Sequence, residues 1–336
     1  MSNTSVLITG GAGFIGSNFI HHLKKTYPDY RIVNVDKLTY ASNLHNLLGV
    51  DEYPDYIFVK ADIANKEAME NVFEQYNPDY VINFAAESHV DRSIEGPEIF
   101  VKTNVYGTQI LLECARSFWK ENKLTSARFL QISTDEVYGS LPLSSTDKFK
   151  ENSPLLPNNP YSASKAGADL LCKAYFNTYD FPVLITRSSN NFGPRQYPEK
   201  LIPLIINHAL VGKGLPIYGD GLNVRDWLYV EDNCRAIELV LHSGKPGEIY
   251  NIGANNEWNN IELVYLLCEL LAEELGMERD WYKRFIVFVK DRPGHDKKYS
   301  LNFDKIQNEL GWQPIFDFKE SLKTTIQWYI DQYGKI

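Results

Sequence analysis

Three observations predict an α/β fold in which a doubly wound parallel sheet is followed by a second, smaller α/β domain. Short apolar runs alternate with amphipathic stripes through the first half of the 336-residue chain, a glycine-rich turn joins the first run to the first stripe, and after about Arg187 the texture becomes rich in Pro, Gly and Asn. Alternation at this spacing means a sheet covered on both faces, and such sheets bind ligands beyond the carboxyl ends of their strands. The boundaries read as 1–187 for the sheet domain, with part of 226–253 returning to it, and 188–336 for the second domain.

Ser5 to Thr9 is an apolar run ending in Gly10-Gly11-Ala12-Gly13-Phe14-Ile15-Gly16, after which Ile15, Phe19 and Leu23 recur as a helical stripe. The glycines therefore sit in a strand-to-helix turn. Arg31 to Val35 is a second strand that closes on Asp36, twenty positions after Gly16. Strand, turn, helix, strand and acid in this order form the Rossmann-type dinucleotide fingerprint. The glycines let the backbone approach a pyrophosphate at the helix N-terminus, and the acid binds the adenosine ribose hydroxyls. Asp36 favours NAD, because its charge would repel the extra phosphate of NADP.

Tyr56 to Lys60 reads as a strand leading to Asp62-Ile63, Lys66 to Tyr76 as a helix, and Asp79 to Phe84 as a strand running into Ala85-Ala86-Glu87-Ser88-His89. Pro97 opens a long helical pattern. Phe129 to Ile132 then delivers Ser133-Thr134-Asp135-Glu136-Val137-Tyr138-Gly139 to a strand end, and a proline-rich loop leads to Tyr161-Ser162-Ala163-Ser164-Lys165 at the start of a helix to about Tyr179. Pro182 to Thr186 is the next strand. Ser188 to Lys200 reads as a long functional loop, Leu201 to Leu210 as a helix, Leu215 to Tyr218 and Arg225 to Val230 as strands, and Asn233 to Leu241 as a helix. Glu248 to Gly253 is placed back in the first sheet, and Ile261 to Leu275 and Phe318 to Tyr333 are amphipathic helices of the second domain.

The chemistry centres on residues 133–165. Tyr161 and Lys165 are four apart on a helix and share one face. A phenol titrates near ~10, so use as a base near neutrality requires about 4 kcal/mol of help. A cation about 4 Å away supplies about that much at an effective dielectric of ~20. Lys165 is a sufficient partner in principle. Asp135 and Glu136 are adjacent carboxylates, and two such anions in a partly dry cleft push one apparent pKa upward, leaving an acid beside a base. Capping by the carboxylates and simple packing by Tyr161 would also account for these residues taken alone.

A formal net charge of −9 argues against a nucleic-acid partner, since no basic surplus exists to neutralise phosphates. The four cysteines, 114, 172, 234 and 268, are isolated, as expected of reduced thiols in a cytoplasmic protein. No charged leader and no apolar run near ~18 residues suggests a signal or a membrane span. The seven histidines lack ligand spacing, so no metal is expected. Lys200, Arg225, Arg292, Lys297 and Lys298 recur in loops of the second half and suggest a pocket for a phosphorylated ligand, although any one of them, Lys297 and Lys298 above all, also reads as a solvated loop charge.

With the glycine turn, Tyr161-x-x-x-Lys165 and Arg225-Asp226-Trp227 in hand, the chain resembles the extended short-chain dehydrogenase/reductase family. Ser133 to Gly139, Asn190-Asn191-Phe192-Gly193-Pro194-Arg195-Gln196, Pro198 to Pro203 and Asp291-Arg292-Pro293-Gly294-His295-Asp296 resemble its dTDP-glucose 4,6-dehydratase branch over essentially the full length. Phe192 stands where Tyr is common. The resemblance implies an NAD-dependent hydro-lyase that makes a 4-keto-6-deoxy sugar nucleotide, a precursor of rhamnose or another deoxysugar. Tyr161 would act as base at the C4 hydroxyl with Thr134 holding that oxygen, Lys165 would bind the nicotinamide ribose and lower the Tyr161 pKa, Glu136 would take the C5 proton and Asp135 would protonate the leaving C6 hydroxyl.

The resemblance also implies binding residues. NAD would contact Gly10, Gly13, Phe14, Ile15, Gly16, Asp36, Lys37, Thr39, Asp62, Ile63, Ala85, Ser88, Thr103, Tyr161 and Lys165. The sugar nucleotide, dTDP-glucose, would contact Ser88, Thr134, Asn190, Glu199, Lys200, Leu201, Arg225, Asn260, Arg292, His295 and Tyr299. The helices around 97–119 and 161–179 resemble a four-helix homodimer contact. Three alternatives stay open at this stage: a UDP-glucose 4,6-dehydratase, a UDP-glucose 4-epimerase or UDP-glucuronate decarboxylase, and a non-catalytic NAD-binding regulator.

Overall fold

The computed structural model describes residues 4–333. Seven parallel strands form the main sheet: β1 (Ser5–Thr9), β2 (Arg31–Asp36), β3 (Tyr56–Lys60), β4 (Tyr80–Asn83), β5 (Arg128–Thr134), β6 (Val183–Ser188) and, from far along the chain, Ile249–Ile252. The spatial order is β3, β2, β1, β4, β5, β6 and then Ile249–Ile252, so the direction of winding reverses between β1 and β4. That reversal opens a crevice at the carboxyl ends of the strands. The strands alternate sides: Val6, Ile8, Ile32, Ile82 and Leu130 face one core cluster with Phe19, Ile20 and Leu23, while Leu7, Val33, Val35, Val81 and Phe129 face another with Met69, Phe73, Leu111 and Leu112.

The return of Ile249–Ile252 to the sheet follows the reading of 248–253. In register, Ile252 pairs with Ser188 and Thr134 with the same Ser188, which aligns these strand ends. The helix Pro160–Tyr179 starts at a capping box, with the Asn159 side chain accepting from Ser162 N and Ser162 Oγ reaching back to Asn159 N. That cap fixes where Tyr161 and Lys165 begin.

The rest of the chain builds a smaller layer. Three short strands follow β6 in chain order, β7 (Asn190–Phe192), β8 (Leu215–Tyr218) and β9 (Val224–Tyr229), and Ile249–Ile252 is β10. β7 runs parallel to β9, Glu257–Asn259 runs antiparallel to β9, and Ile286–Val289 pairs parallel with β8. The helices Leu201–Leu210, Asn260–Glu274 and Phe318–Tyr333 cover these strands with Ile205, Leu263, Leu267, Leu322 and Ile326.

Several expectations are corrected here. The stretch 188–200 is not all loop, since Asn190–Phe192 is a strand held by β9 rather than by its own propensity. The strand expected over 129–132 continues through Thr134, and the helix expected from Asn233 begins at Val230. The long helix after Pro97 contains a π-helical turn, Val101–Gly107, between Glu98–Phe100 and Thr108–Glu121.

Candidate active site

A groove runs along the carboxyl ends of the strands. Its walls contain every residue expected to touch NAD: Gly10, Gly13, Phe14, Ile15, Gly16, Asp36, Lys37, Thr39, Asp62, Ile63, Ala85, Ser88, Thr103, Tyr161 and Lys165. The groove's construction depends on close backbone approach. Gly10 has φ +70°, and a Cβ there would lie 2.7 Å from Ala85 N. The helix Phe14–Thr26 begins at Gly13 with no side-chain cap and no acidic residue in its first turn. An uncapped N-terminus fits an anionic pyrophosphate.

Asp36 sits at the end of β2. Its carboxylate accepts from Ala12 N at 3.0 Å, Leu38 N at 2.8 Å and Ser42 Oγ at 2.9 Å, which fixes the carboxylate at the strand end. Lys37 Nζ lies 3.6 Å from both Asp62 and Glu87 and 3.4 Å from Thr103 Oγ1, so its charge is balanced within the groove.

One wall of this groove is formed by Thr134, Asp135, Glu136, Tyr161 and Lys165 together. β5 ends at Thr134 and the chain then makes a single tight turn, Asp135–Tyr138, closed by Gly139 at φ +85°. The Thr134 hydroxyl accepts from Glu136 N at 3.3 Å and donates to Asp135 Oδ1 at 3.2 Å, while Asp135 Oδ2 is buried without a partner. Burial pushes the Asp135 carboxyl well above its ordinary range, and the negative charges of Glu136 and Asp226 push it further. Burial also raises Glu136, but the cations Lys200, Arg225 and Arg292 face it and oppose that rise. Two adjacent carboxyls thus meet opposite electrostatic surroundings.

Lys165 and Tyr161 have separate surroundings in the structure. Lys165, 4% exposed, donates from Nζ to Ile132 O at 2.7 Å, and burial lowers its own pKa. The Tyr161 phenol is raised, first by burial and then by Glu136, with the Thr134 hydroxyl partly opposing and Asp135 and Asp169 adding to the rise. Four residues of spacing put the ammonium on the right face, but the strand-end carbonyl of Ile132 holds it. In this arrangement Tyr161 rests as the protonated phenol.

A second pocket opens from the far side of the same wall, sharing Glu136, Asn190, Glu199 and Lys200 with the groove. It is lined by Leu201, Arg225, Asn260, Arg292, His295 and Tyr299, so with Ser88 and Thr134 in the groove all the residues expected to touch the sugar nucleotide border one continuous cleft. Lys200 Nζ donates to Ser88 O at 2.9 Å. Arg225 donates from Nη2 to Asp296 O at 2.8 Å and lies 4.2 Å over the Tyr299 ring. Arg292 lies 3.3 Å from Asp91 and 4.7 Å over the Tyr218 ring. Lys298 is not a solvated loop charge, because its Nζ pairs with Glu257 at 2.7 Å and its side chain is 12% exposed.

Sequence reasoning missed several residues of this cleft. Asn191, Gln196, Asn159 and Asp296 line it, and Asn104 supports it from below. Asn104 Nδ2 donates to Glu87 O at 3.0 Å and to Ser164 Oγ at 2.8 Å, and its Oδ1 accepts from Glu87 N at 2.9 Å, tying the 85–88 loop to the Tyr161 helix. The Asn159-Pro160-Tyr161-Ser162 run carried a legible helix-start signal. Nothing local marked Asn104, whose role depends on the π-helical turn around it.

Comparison with known proteins agrees with this geometry. Residues 7–325 match the family described as GDP-mannose 4,6 dehydratase. A dTDP-glucose 4,6-dehydratase of Haemophilus influenzae (strain ATCC 51907 / DSM 11121 / KW20 / Rd) is 51% identical over 333 residues, covering 97% of this chain and 98% of that one. The crystal structure of dTDP-glucose 4,6-dehydratase from Bacillus anthracis str. Ames in complex with NAD superposes with a TM-score of 0.86 at 48% identity, covering 99% of this chain and 98% of that one. A UDP-glucose 4-epimerase from Thermotoga maritima, solved with UDP-glucose, has the same TM-score of 0.86 at 29% identity and covers 98% of this chain and 99% of that one.

Proposed function

The chain belongs to the GDP-mannose 4,6 dehydratase family, and we infer that it is an NAD-dependent dTDP-glucose 4,6-dehydratase, converting dTDP-glucose to dTDP-4-keto-6-deoxyglucose and water for deoxysugar synthesis. NAD fits the groove through the uncapped helix at Gly13, the close-approach glycine Gly10 and the fixed charge of Asp36. Bound there, it would supply a hydride acceptor for the sugar C4 and a hydride donor for C6, the return at C6 being balanced by a proton at C5.

The remaining work falls to side chains. Tyr161 takes the proton from the C4 hydroxyl while Thr134 holds the oxygen. Because the resting phenol is raised, its ionisation needs positive charge brought in beside it, and Lys165, anchored on Ile132 O, positions the helix face rather than supplying all of that charge. The C4 carbonyl acidifies C5. Glu136, raised by burial with Lys200, Arg225 and Arg292 opposing that rise, takes the C5 proton in its ionised form. Asp135, held protonated by burial and by Glu136, donates to the departing C6 hydroxyl. The sequence left these two roles to resemblance alone, and the unequal surroundings of the carboxyls give them a physical reason.

The observation that carries the reading is the presence of this acid–base couple on the same wall as Tyr161. An epimerase needs only the oxidising half, so an elimination couple would be superfluous there. Lys200, Arg225 and Arg292 converge on the second pocket with the charge and geometry for a diphosphate. We assign 1–187 with the returning β10 to NAD binding and 188–336 otherwise to the sugar nucleotide. Val101, Tyr106, Leu170 and Tyr179, 51–60% exposed on the two long helices, support a homodimer through a four-helix contact. Among the described residues no helix is long and apolar enough to cross a membrane, and the four cysteines are free and buried, which supports a cytoplasmic setting. Incubation with dTDP-glucose and with UDP-glucose tests the assignment: the 4-keto-6-deoxy product should form from the thymidine nucleotide, and a C4 epimer without loss of the C6 hydroxyl would refute it.

A further inference from the structure

Below the catalytic wall lies a chain of buried polar contacts that borders neither the groove nor the second pocket. At its centre is Arg187 on β6, 3% exposed. Nε donates to Asp169 Oδ2 at 2.8 Å, and Nη1 donates to the Tyr138 hydroxyl at 2.9 Å. Asp169, 1% exposed, lies one helical turn beyond Lys165 on the helix Pro160–Tyr179. Tyr138 is the last residue of the turn Asp135–Tyr138, and its hydroxyl donates onward to Asn251 Oδ1 at 2.7 Å on β10. One guanidinium therefore grips the helix that carries Tyr161 and Lys165 with one arm and the turn that carries Asp135 and Glu136 with the other.

A buried ion pair is a poor device for stability alone, because apolar residues of similar volume often serve as well or better. This one also leaves Asp169 Oδ1 buried without a partner. What a forked, charged donor adds is fixed geometry between the elements it joins. That geometry matters here because two chemistries must act on one ring: proton removal at C4 and elimination across C5 and C6. A misplacement of about 1 Å between such groups can cost ~100-fold in rate.

We infer that Arg187 is a positioning residue that sets the elimination couple against the oxidation site, acting through Tyr138 on the turn and through Asp169 on the helix. The inference rests on the dehydratase reading. It requires no contact of Arg187, Asp169 or Tyr138 with substrate. It places the sensitivity on the turn side, because the turn is short and ends at Tyr138, whereas the helix is also held by its cap and by its own hydrogen bonds.

The test is a single-turnover experiment on the NAD-loaded enzyme with dTDP-glucose, following reduced-nicotinamide absorbance and 4-keto-6-deoxy product together. Tyr138→Phe deletes one hydroxyl while preserving the ring, which stacks on Phe149 at 5.1 Å. It should keep the rate of nicotinamide reduction and the KM within about twofold of the unmodified enzyme while elimination slows ~10-fold, so that reduced cofactor accumulates. Arg187→Lys, which keeps a charge for Asp169 but lacks the second arm, should show the same split. The double variant should be no slower than the slower single one, since both remove one interaction. Unchanged elimination in Tyr138→Phe, equal slowing of both half-reactions, or additive losses would overturn the inference. Absence of 4-keto-6-deoxy product from the unmodified enzyme would instead refute the dehydratase reading, and this inference with it.

Discussion

The groove proposed for NAD and the pocket proposed for the sugar nucleotide share a wall but differ in material. The groove is made of backbone: a glycine whose Cβ would collide with Ala85, an uncapped helix start at Gly13, and one carboxylate, Asp36, fixed by three donors. The pocket is made of side-chain charge brought together from distant loops, with Lys200, Arg225 and Arg292 held by Ser88 O, Asp296 O and Asp91 respectively. A backbone site tolerates almost no added atom, whereas a site of converging cations degrades one contact at a time. Tyr161, Asp135 and Glu136 line the groove where the two meet, and Glu136 borders both.

That contrast ranks the expected effects. Tyr161→Phe should be the most severe, with C4 oxidation down by ~1,000-fold or more and NAD still bound, as read by single-turnover nicotinamide absorbance. Next, Asp135→Asn and Glu136→Gln should leave oxidation running and slow elimination by ~100- to 1,000-fold, trapping reduced cofactor. Loss of nicotinamide reduction in either, with dehydration of a supplied 4-keto sugar retained, would reverse the assigned roles.

The pH dependence of elimination follows from the same surroundings. On the proposed roles Asp135 works protonated, and its pKa is raised, so the rate should fall as pH rises through that value. Glu136 works ionised and is also raised, so the rate should fall as pH drops through its value. The residual elimination of Asp135→Asn should keep the acidic limb and lose the alkaline one.

Smaller effects separate the two regions directly. Gly10→Ala should yield protein that loses NAD on purification, because the added Cβ meets backbone atoms of Ala85 and φ is +70°. Arg292→Ala should keep NAD bound and raise KM for the sugar nucleotide ~10-fold with a much smaller change in kcat, the loss of one charge-assisted contact. If Arg292→Ala released NAD, or Gly10→Ala altered KM alone, the division between backbone groove and charged pocket would fail. Lys298→Ala, which breaks a partly exposed pair with Glu257, should lower stability by no more than about 1 kcal/mol in thermal or denaturant melts.

The same contrast explains how much the sequence could tell. A backbone site is local, so Gly10 to Gly16, Asp36 and the succession of strand, turn, helix and strand around them could be read from spacing, as could the helices 66–76 and 201–210 to the residue. Asn190–Phe192, Glu257–Asn259 and Ile286–Val289 were not, because each owes its form to the strand it pairs with rather than to a pattern of its own. Lys298 read as solvent-facing because nothing in the chain shows that Glu257 lies opposite. Lys165 was placed on the correct face but its anchor, Ile132 O, is a tertiary fact. Arg187 was read as lying just past the strand 182–186, whereas it sits within Val183–Ser188, and its two partners, Asp169 and Tyr138, lie 18 and 49 residues away.

The most direct test follows the hydrogens in one turnover. With dTDP-glucose carrying deuterium at both C4 and C5, in ordinary water, the product should be the 4-keto-6-deoxy sugar with the C4 deuterium transferred to C6 and solvent protium in place of deuterium at C5. A product epimeric at C4 that keeps its C6 hydroxyl and its C5 deuterium would contradict the account.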